Sequence, residues 1–186
     1  FGTTDYSTLF ASLRETKPDV IWPMMAGADA VAFYKQYKGF GFDIQVCTNA
    51  LDELFAASAP EVTGAISNQS YFMTLDTPTN QQFIAAYQAK FGANARVDAI
   101  GEATYDAVHL YARAVEQAGT TDVDPVVEAM GQVEFDAPQG NVRISPENHH
   151  MIANSIIGRA NEQGLFDIIE NFGQIPPKLE GCNLTG

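Results

Sequence analysis

The sequence predicts an α/β fold built on a parallel sheet with helices on both faces. Short apolar runs bounded by Pro, Gly or Asn, at Val20 to Pro23, Ile44 to Cys47 and Gly64 to Ser67, have the length of buried strands. Stretches with apolar residues at helical spacing alternate with them, so the first third reads helix, strand, helix, strand, helix, strand. A chain of 186 residues, 46% hydrophobic, can bury a real core as one domain or two small ones.

Asp5 or Ser7 can cap a first helix in which Tyr6, Leu9, Phe10 and Leu13 recur at helical spacing. Lys17-Pro18 stops it, because proline breaks the hydrogen-bond ladder. After the first strand, Met24 to Ala28 form a loop opened by Gly27. Asp29 to Lys38 then form a helix burying Val31, Phe33, Tyr34 and Tyr37, ended by Gly39-Phe40-Gly41. Leu51 to Ala57 is a short helix between the second and third strands. From Asn68 to Asp76 the chain is polar and aromatic without a period.

Thr77 caps the next helix, with Pro78 at its first position, Phe83, Ile84, Tyr87 and Phe91 on its inner side, and Gly92 just past its end. Gly101 to Ala118 is a long helix, apolar through Ala107, Val108, Leu110, Tyr111, Ala114 and Val115, and closed by Gly119. Asp124 to Met130 is another. Around Pro138 and Gly140 the chain reads as a turn, then a strand over Val142-Arg143-Ile144, then a second turn. Ser155 to Ala160 and Phe166 to Ile169 flank Asn161-Glu162-Gln163-Gly164, which is hairpin chemistry.

Charge and motifs exclude several function classes. Ten Lys and Arg against 23 Asp and Glu leave a formal charge of -13, which repels phosphate backbones, so no nucleic-acid partner is expected. No window approaches the roughly 18 uninterrupted apolar residues of a membrane span, so no direct membrane insertion is expected. The sequence holds no Gly-x-Ser-x-Gly, His-Glu-x-x-His, P-loop or Gly-x-Gly-x-x-Gly after a strand, and no catalytic residue or cofactor is assigned. His149-His150 is the most tempting metal pair. Adjacent residues in an extended chain point to opposite sides, however, and no third ligand is near in sequence, so no metal is expected. His109 falls inside an apolar helix and reads as a satisfied, partly buried polar group.

Two stretches carry a family resemblance. Phe135-Asp136-Ala137-Pro138-Gln139-Gly140-Asn141-Val142, followed by Pro146 and Asn148-His149-His150, resembles a segment of type I periplasmic solute-binding proteins, in the branch for urea, short-chain amides and branched-chain amino acids. Asp5-Tyr6-Ser7 with Leu13 and Lys17-Pro18-Asp19-Val20-Ile21 is similar to the same family's second lobe. The resemblance implies the type I periplasmic-binding-protein fold: two Rossmann-like lobes with parallel, helix-covered sheets, of which this chain supplies an incomplete portion of both. It places residues 1–68 in lobe two, 69–76 in a crossing between lobes, 77–153 in lobe one, and 154–186 in the crossing back to lobe two and the tail. Relatives are about twice as long, and a chain that opens on Phe1 is expected to be a processed or truncated product.

The function this implies is the solute-binding component of an ABC importer, reversibly holding a small amide, urea or amino-acid-like solute between closing lobes, with a transporter permease as partner. Periplasmic or exported localisation follows. The alternatives are a cytoplasmic amide sensor of the same fold and, from another class, a small α/β enzyme. Ligands of open α/β sheets sit beyond the carboxyl ends of the strands. That rule and the resemblance together nominate Ala26, Gly27, Thr48 and Asn49 as ligand contacts. Where amino-acid-binding relatives carry an acidic residue in the second loop, this chain has Ala50, which favours a neutral amide or urea. The resemblance also places Cys47 and Cys182 in one lobe, and an exported protein meets an oxidising compartment, so a Cys47 to Cys182 disulfide is expected.

Overall fold

The computed structural model describes residues 2–178. Three parallel strands form one side of the sheet: β1 (Val20–Ile21), β2 (Gln45–Thr48) and β3 (Ile66–Gln69). Helices α1 (Ser7–Thr16), α2 (Gly27–Gly39) and α3 (Glu53–Ser58) precede them in turn, and one tight helical turn, Pro60–Val62, follows α3. Neither Asp5 nor Ser7 caps α1. Tyr6 is the cap, and the Asp5 carboxylate accepts from the Ser7 N–H at 2.9 Å, one residue ahead of the position a capping side chain needs. Lys17 takes a left-handed φ of 47° at the helix end, just before Pro18.

Beyond β3 come α4 (Pro78–Phe91), α5 (Ala99–Ala118) and α6 (Val123–Met130), then β4 (Glu134–Ala137), β5 (Gly140–Ile144), β6 (Met151–Ala160) and β7 (Phe166–Ile175). The sheet runs β1-β2-β3-β6-β5-β4, with β7 also paired to β6. β6 is antiparallel to β3, β5 and β7, so one ten-residue strand ties the parallel strands to the distal hairpin. Thr77 caps α4 by accepting from the Asn80 N–H, and Asp98 caps α5 by accepting from the Gly101 N–H at 2.7 Å. That cap starts α5 two residues before the expected Gly101.

Two apolar clusters result. The larger packs Phe10, Phe33, Tyr34 and Tyr37 from the first helices with Tyr71, Phe72, Ile156 and Phe166. The Phe72 and Phe166 rings stack at 4.6 Å. The smaller joins Leu110 and Ala114 of α5, Val126 and Ala129 of α6, and Phe135 and Val142 of the β4–β5 hairpin.

Several expectations are corrected. The turn-strand-turn expected around Pro138 is a full hairpin, because Glu134–Ala137 also pairs, Phe135 opposite Val142. Pro138 sits in its two-residue turn, where no ladder N–H is needed. The α2 helix begins at Gly27, not Asp29. Val31 is only half-buried. Val108 and Tyr111, expected on the inner face of α5, are 62% and 49% exposed, because α5 packs mainly on α6 and β4; Phe91, expected on the inner side of α4, is 60% exposed at the helix end. Cys47 lies half-buried in β2, and Cys182 lies outside the described residues.

Candidate functional site

The carboxyl ends of β1 and β2 open into a cleft of ≈ 440 Å³ walled by Tyr6, Met24, Met25, Ala26, Asp29 and Ala50. Two loops shape it, and one side chain stitches them together. Thr48, 1% exposed, donates its hydroxyl to the Pro23 carbonyl at 2.9 Å and accepts from the Ala50 N–H at 3.1 Å. The loop after β2 is pinned from behind as well. Ser67 Oγ donates to the Leu51 carbonyl at 2.7 Å, and Gln69 Nε2 donates to the carbonyls of Asn49 and Leu51.

On the other side, Ala26 leads into α2 with extended backbone and Gly27 turns the chain at φ 62°, a conformation that favours glycine. No side-chain hydrogen bond is made by the cap residue Ala26, and the first turn of α2 carries the positive end of the helix dipole. Asp29 brings a carboxylate to the same wall. It accepts from the Gly2 N–H with both oxygens, at 3.1 and 2.9 Å, and its backbone carbonyl accepts from the Tyr6 hydroxyl at 3.2 Å.

Of the four residues nominated from sequence, Ala26 lines the cleft and Gly27 begins the helix at its edge. Thr48 lies beneath it with its hydroxyl engaged on both sides, and Asn49 is exposed next to the cleft residue Ala50. Sequence reasoning did not nominate Tyr6, Met24 or Asp29. The signal for Asp29 was its place in the first turn of a helix that opens at a strand end; Tyr6 reads as core from its spacing and reaches the cleft only through the packing of α1 on α2.

Behind the cleft, buried acids hold the connecting segments. Glu53, fully buried, accepts from the Met73 N–H at 2.7 Å, and burial pushes its carboxyl up to about 7. Tyr71 donates to Asn80 Oδ1 at 2.8 Å, and Asn80 Nδ2 donates to the carbonyls of Met73 and Leu75. On α5, Glu102 and Asp106 are both fully buried. Gln139 donates its backbone N–H and its Nε2 to Glu102, at 3.1 and 2.9 Å, and the same Nε2 to Asp106 at 3.1 Å. Burial raises both carboxyls, with Asp106 adding to the rise at Glu102, so the pair retains a proton where isolated carboxylates have lost theirs.

Among the described residues, no group of three or more His, Cys, Asp or Glu converges as metal ligands. The His149 N–H donates to the Ser145 carbonyl at 2.9 Å, and the His150 N–H to Asn148 Oδ1 at 3.1 Å, within the turn after β5. His109 stacks on Phe135 at 4.6 Å. No helix among the described residues is long and apolar enough to cross a membrane.

Comparison with known proteins agrees with this architecture. The periplasmic binding protein domain family matches residues 1–178. A solute binding protein of an ABC transporter from R. palustris, solved in complex with benzoate, superposes with a TM-score of 0.86 at 22% identity, over 99% of this chain and 51% of that one. A leucine binding protein from Thermotoga maritima gives 0.78 at 20% identity, over 91% and 49%. Among curated proteins, a Leu/Ile/Val-binding protein homolog from Brucella melitensis is 23% identical over 82% of this chain and 41% of its own length. A limonene hydroxylase from Geobacillus stearothermophilus is 32% identical over 62% of this chain but only 21% of that protein. The chain thus spans about half of the solved relatives and less of the curated ones.

Proposed function

This chain belongs to the family of periplasmic binding protein domains, and from that membership we propose that it contributes one wall of the solute cleft in the binding component of an ABC importer. The observation that carries the reading is the convergence, at the carboxyl ends of two parallel strands, of the positive amino end of α2, the Asp29 carboxylate and an apolar rim of Met24, Met25 and Ala26. A solute that offers a carbonyl or carboxylate to the α2 N–H groups, an N–H group to Asp29 and a small apolar body to the methionines satisfies all three. An amino-acid-like solute does so, its ammonium facing Asp29.

A neutral amide or urea is the second reading. Ala50 in the cleft wall favours it, since no acidic side chain stands at that place. Calorimetric titration of the intact protein with leucine, benzoate, acetamide and urea separates them. On the first reading leucine binds and Asp29→Asn weakens it about ten- to a hundredfold, the loss of one hydrogen bond to a charged group. On the second, acetamide or urea binds and Asp29→Asn changes little. Binding of none of the four, or turnover of any of them, rejects the receptor reading and returns attention to an α/β enzyme.

On the same proposal, residues 1–68 are part of lobe two, 69–76 cross between lobes, 77–153 are part of lobe one, and 154–186 cross back to lobe two and form the tail. The smaller apolar cluster lies wholly within 77–153 and supports the division, whereas the larger one draws Val97 and Ala99 from that span into the core of Phe10 and Phe166. Periplasmic or exported location, a permease partner and closure of the lobes over the solute complete the reading; a cytoplasmic amide sensor of the same fold would bind its solute equally but recruit no permease.

A further inference from the structure

The turn between β4 and β5 is held from three sides. Thr77, at the start of α4, donates its hydroxyl to the Pro138 carbonyl at 3.2 Å. From β6, Asn154 donates its backbone N–H to Gln139 Oε1 at 3.3 Å and its Nδ2 to the Gln139 carbonyl, beside the irregularity between Asn154 and Ile156. From α5 come two carboxyls. The Gln139 backbone N–H and its Nε2 donate to Glu102 and Asp106, which leaves Asp106 Oδ1 buried and without a partner. Two carboxylates ionised together out of reach of water repel each other and lose their hydration, and an amide brings no countercharge. One proton on Glu102, donated to Asp106, removes one charge and supplies a further donor.

We propose that Glu102 and Asp106 form a one-proton lock: the proton they share holds the Pro138-Gln139 turn, and with it β6 at Asn154, onto α5, and rising pH releases the turn by drawing that proton off. The cations of the region are committed elsewhere. Arg96, just before α5, donates to the carbonyls of Gln163 and Gly164, and Arg113, within α5, to that of Glu134. Lys90 of α4 lies over the Phe91 ring, and Arg143 of β5 is exposed. The neighbouring acids stand outside: Asp98 caps α5, while Glu134 and Asp136 of β4 and Asp124 and Glu128 of α6 are exposed. His109 stacks on Phe135, and the buried Tyr71 gives its hydroxyl to Asn80. Burial raises both carboxyls of the pair above the ordinary carboxylate range, so their contribution is complete at acid pH and is lost as pH rises toward the loss of the shared proton. The lock is a property of the fold and stands apart from the solute reading.

The test is amide hydrogen exchange of the intact protein, followed by NMR from pH 7 to pH 9 and corrected for the intrinsic rate. Protection of the Gln139 and Asn154 N–H groups should fall about tenfold per pH unit, the slope for one proton given up on opening. Asp106→Asn keeps one negative charge in the pair with hydrogens that do not titrate, and should flatten that slope. Protection that stays constant across the interval in the unaltered protein overturns the proposal, and so does an equal slope in the variant. Infrared spectra of the unaltered protein give a second reading that needs no variant. At pH 8, above the value of about 7 for Glu53, a carboxylic-acid carbonyl band should persist and then fade toward pH 10. Its absence at pH 8 overturns the lock.

Discussion

Thr48 illustrates how a residue nominated as a ligand contact can serve the site from behind. Its single hydroxyl donates to one loop and accepts from the other, so the cleft's shape depends on it even though it is 1% exposed. Thr48→Ala leaves the Pro23 carbonyl and the Ala50 N–H without their partner, and thermal or denaturant unfolding should register a loss of about 1–3 kcal/mol. Asn49→Ala, at an exposed position, should leave unfolding unchanged; a stability loss there equal to that of Thr48→Ala would contradict this division of roles. Glu53 makes a pH prediction. Its folded pKa of about 7 lies above the ordinary carboxylate value, so its contribution is complete at acid pH and is lost as pH rises toward 7. Stability measured across that interval should fall with pH, and Glu53→Gln should flatten the fall; an unchanged slope in the variant would remove Glu53 as its cause. Gly158 is constrained by space. A Cβ there would stand 2.9 Å from Phe72 Cε2 and 3.1 Å from Phe166 Cβ, and both phenylalanines are fully buried. Gly158→Ala should therefore cost about 1–3 kcal/mol in a chemical melt, the range for overpacking.

At the scale of elements, α5 shows both what a pattern reveals and what it conceals. Its ends follow from local chemistry: Asp98 caps the start and Gly119, at φ 67°, closes the finish. Asp98→Ala should destabilise by about 0.5–2 kcal/mol, checked by denaturant unfolding, with Asp98→Ser retaining most of the stability. Its broad apolar face says only that something can cover it. Leu110 and Ala114 are covered by α6 and the β4–β5 hairpin, whereas Val108 and Tyr111 face outward. The hairpin's first strand alternates, since Phe135 and Ala137 point inward and Glu134 and Asp136 outward. The turn at Pro138 is legible on its own, but the strand before it shows only through its pairing with β5. The final hairpin was foreseen at its turn, where Asn161 Oδ1 accepts from the N–H groups of Gln163 and Leu165, but its strands run well past the expected limits.

Across the whole molecule, the apolar surface is uneven. Ile100, Val108 and Val123 are each more than 60% exposed on α5 and α6, and Trp22 and Met24 more than half exposed beside β1. Such surface, together with the unpaired edge of β1, favours association. Sedimentation of the isolated 186-residue chain should show self-association or aggregation; a monodisperse monomer with one cooperative melt would count against that expectation. The Cys47 to Cys182 disulfide belongs to this scale too, because it would close most of the chain into one loop. Chain entropy alone assigns such a closure on the order of 4–5 kcal/mol. Titration of the unfolded, unreduced protein should find no free thiol, and two thiols would exclude the bond.

The residues taken in short windows are enough for the α/β class, the alternation of helices with three short strands, most helix stops and the strand ends at which the cleft lined by Ala26 and Ala50 opens. These are local matters: periodicity, caps, breakers and the rule that parallel strands carry sites at their carboxyl ends act over a few residues each. The tertiary structure alone decided that β6 would run antiparallel to β3, β5 and β7, that Gln139 would reach the buried Glu102 and Asp106 from more than thirty residues away, and that Tyr6 and Asp29 would share a wall with Ala50. Each of these joins residues far apart in the chain. Their pairing is selected by which apolar faces bury together and which polar groups remain to be satisfied once they do, and no short window of sequence contains both partners.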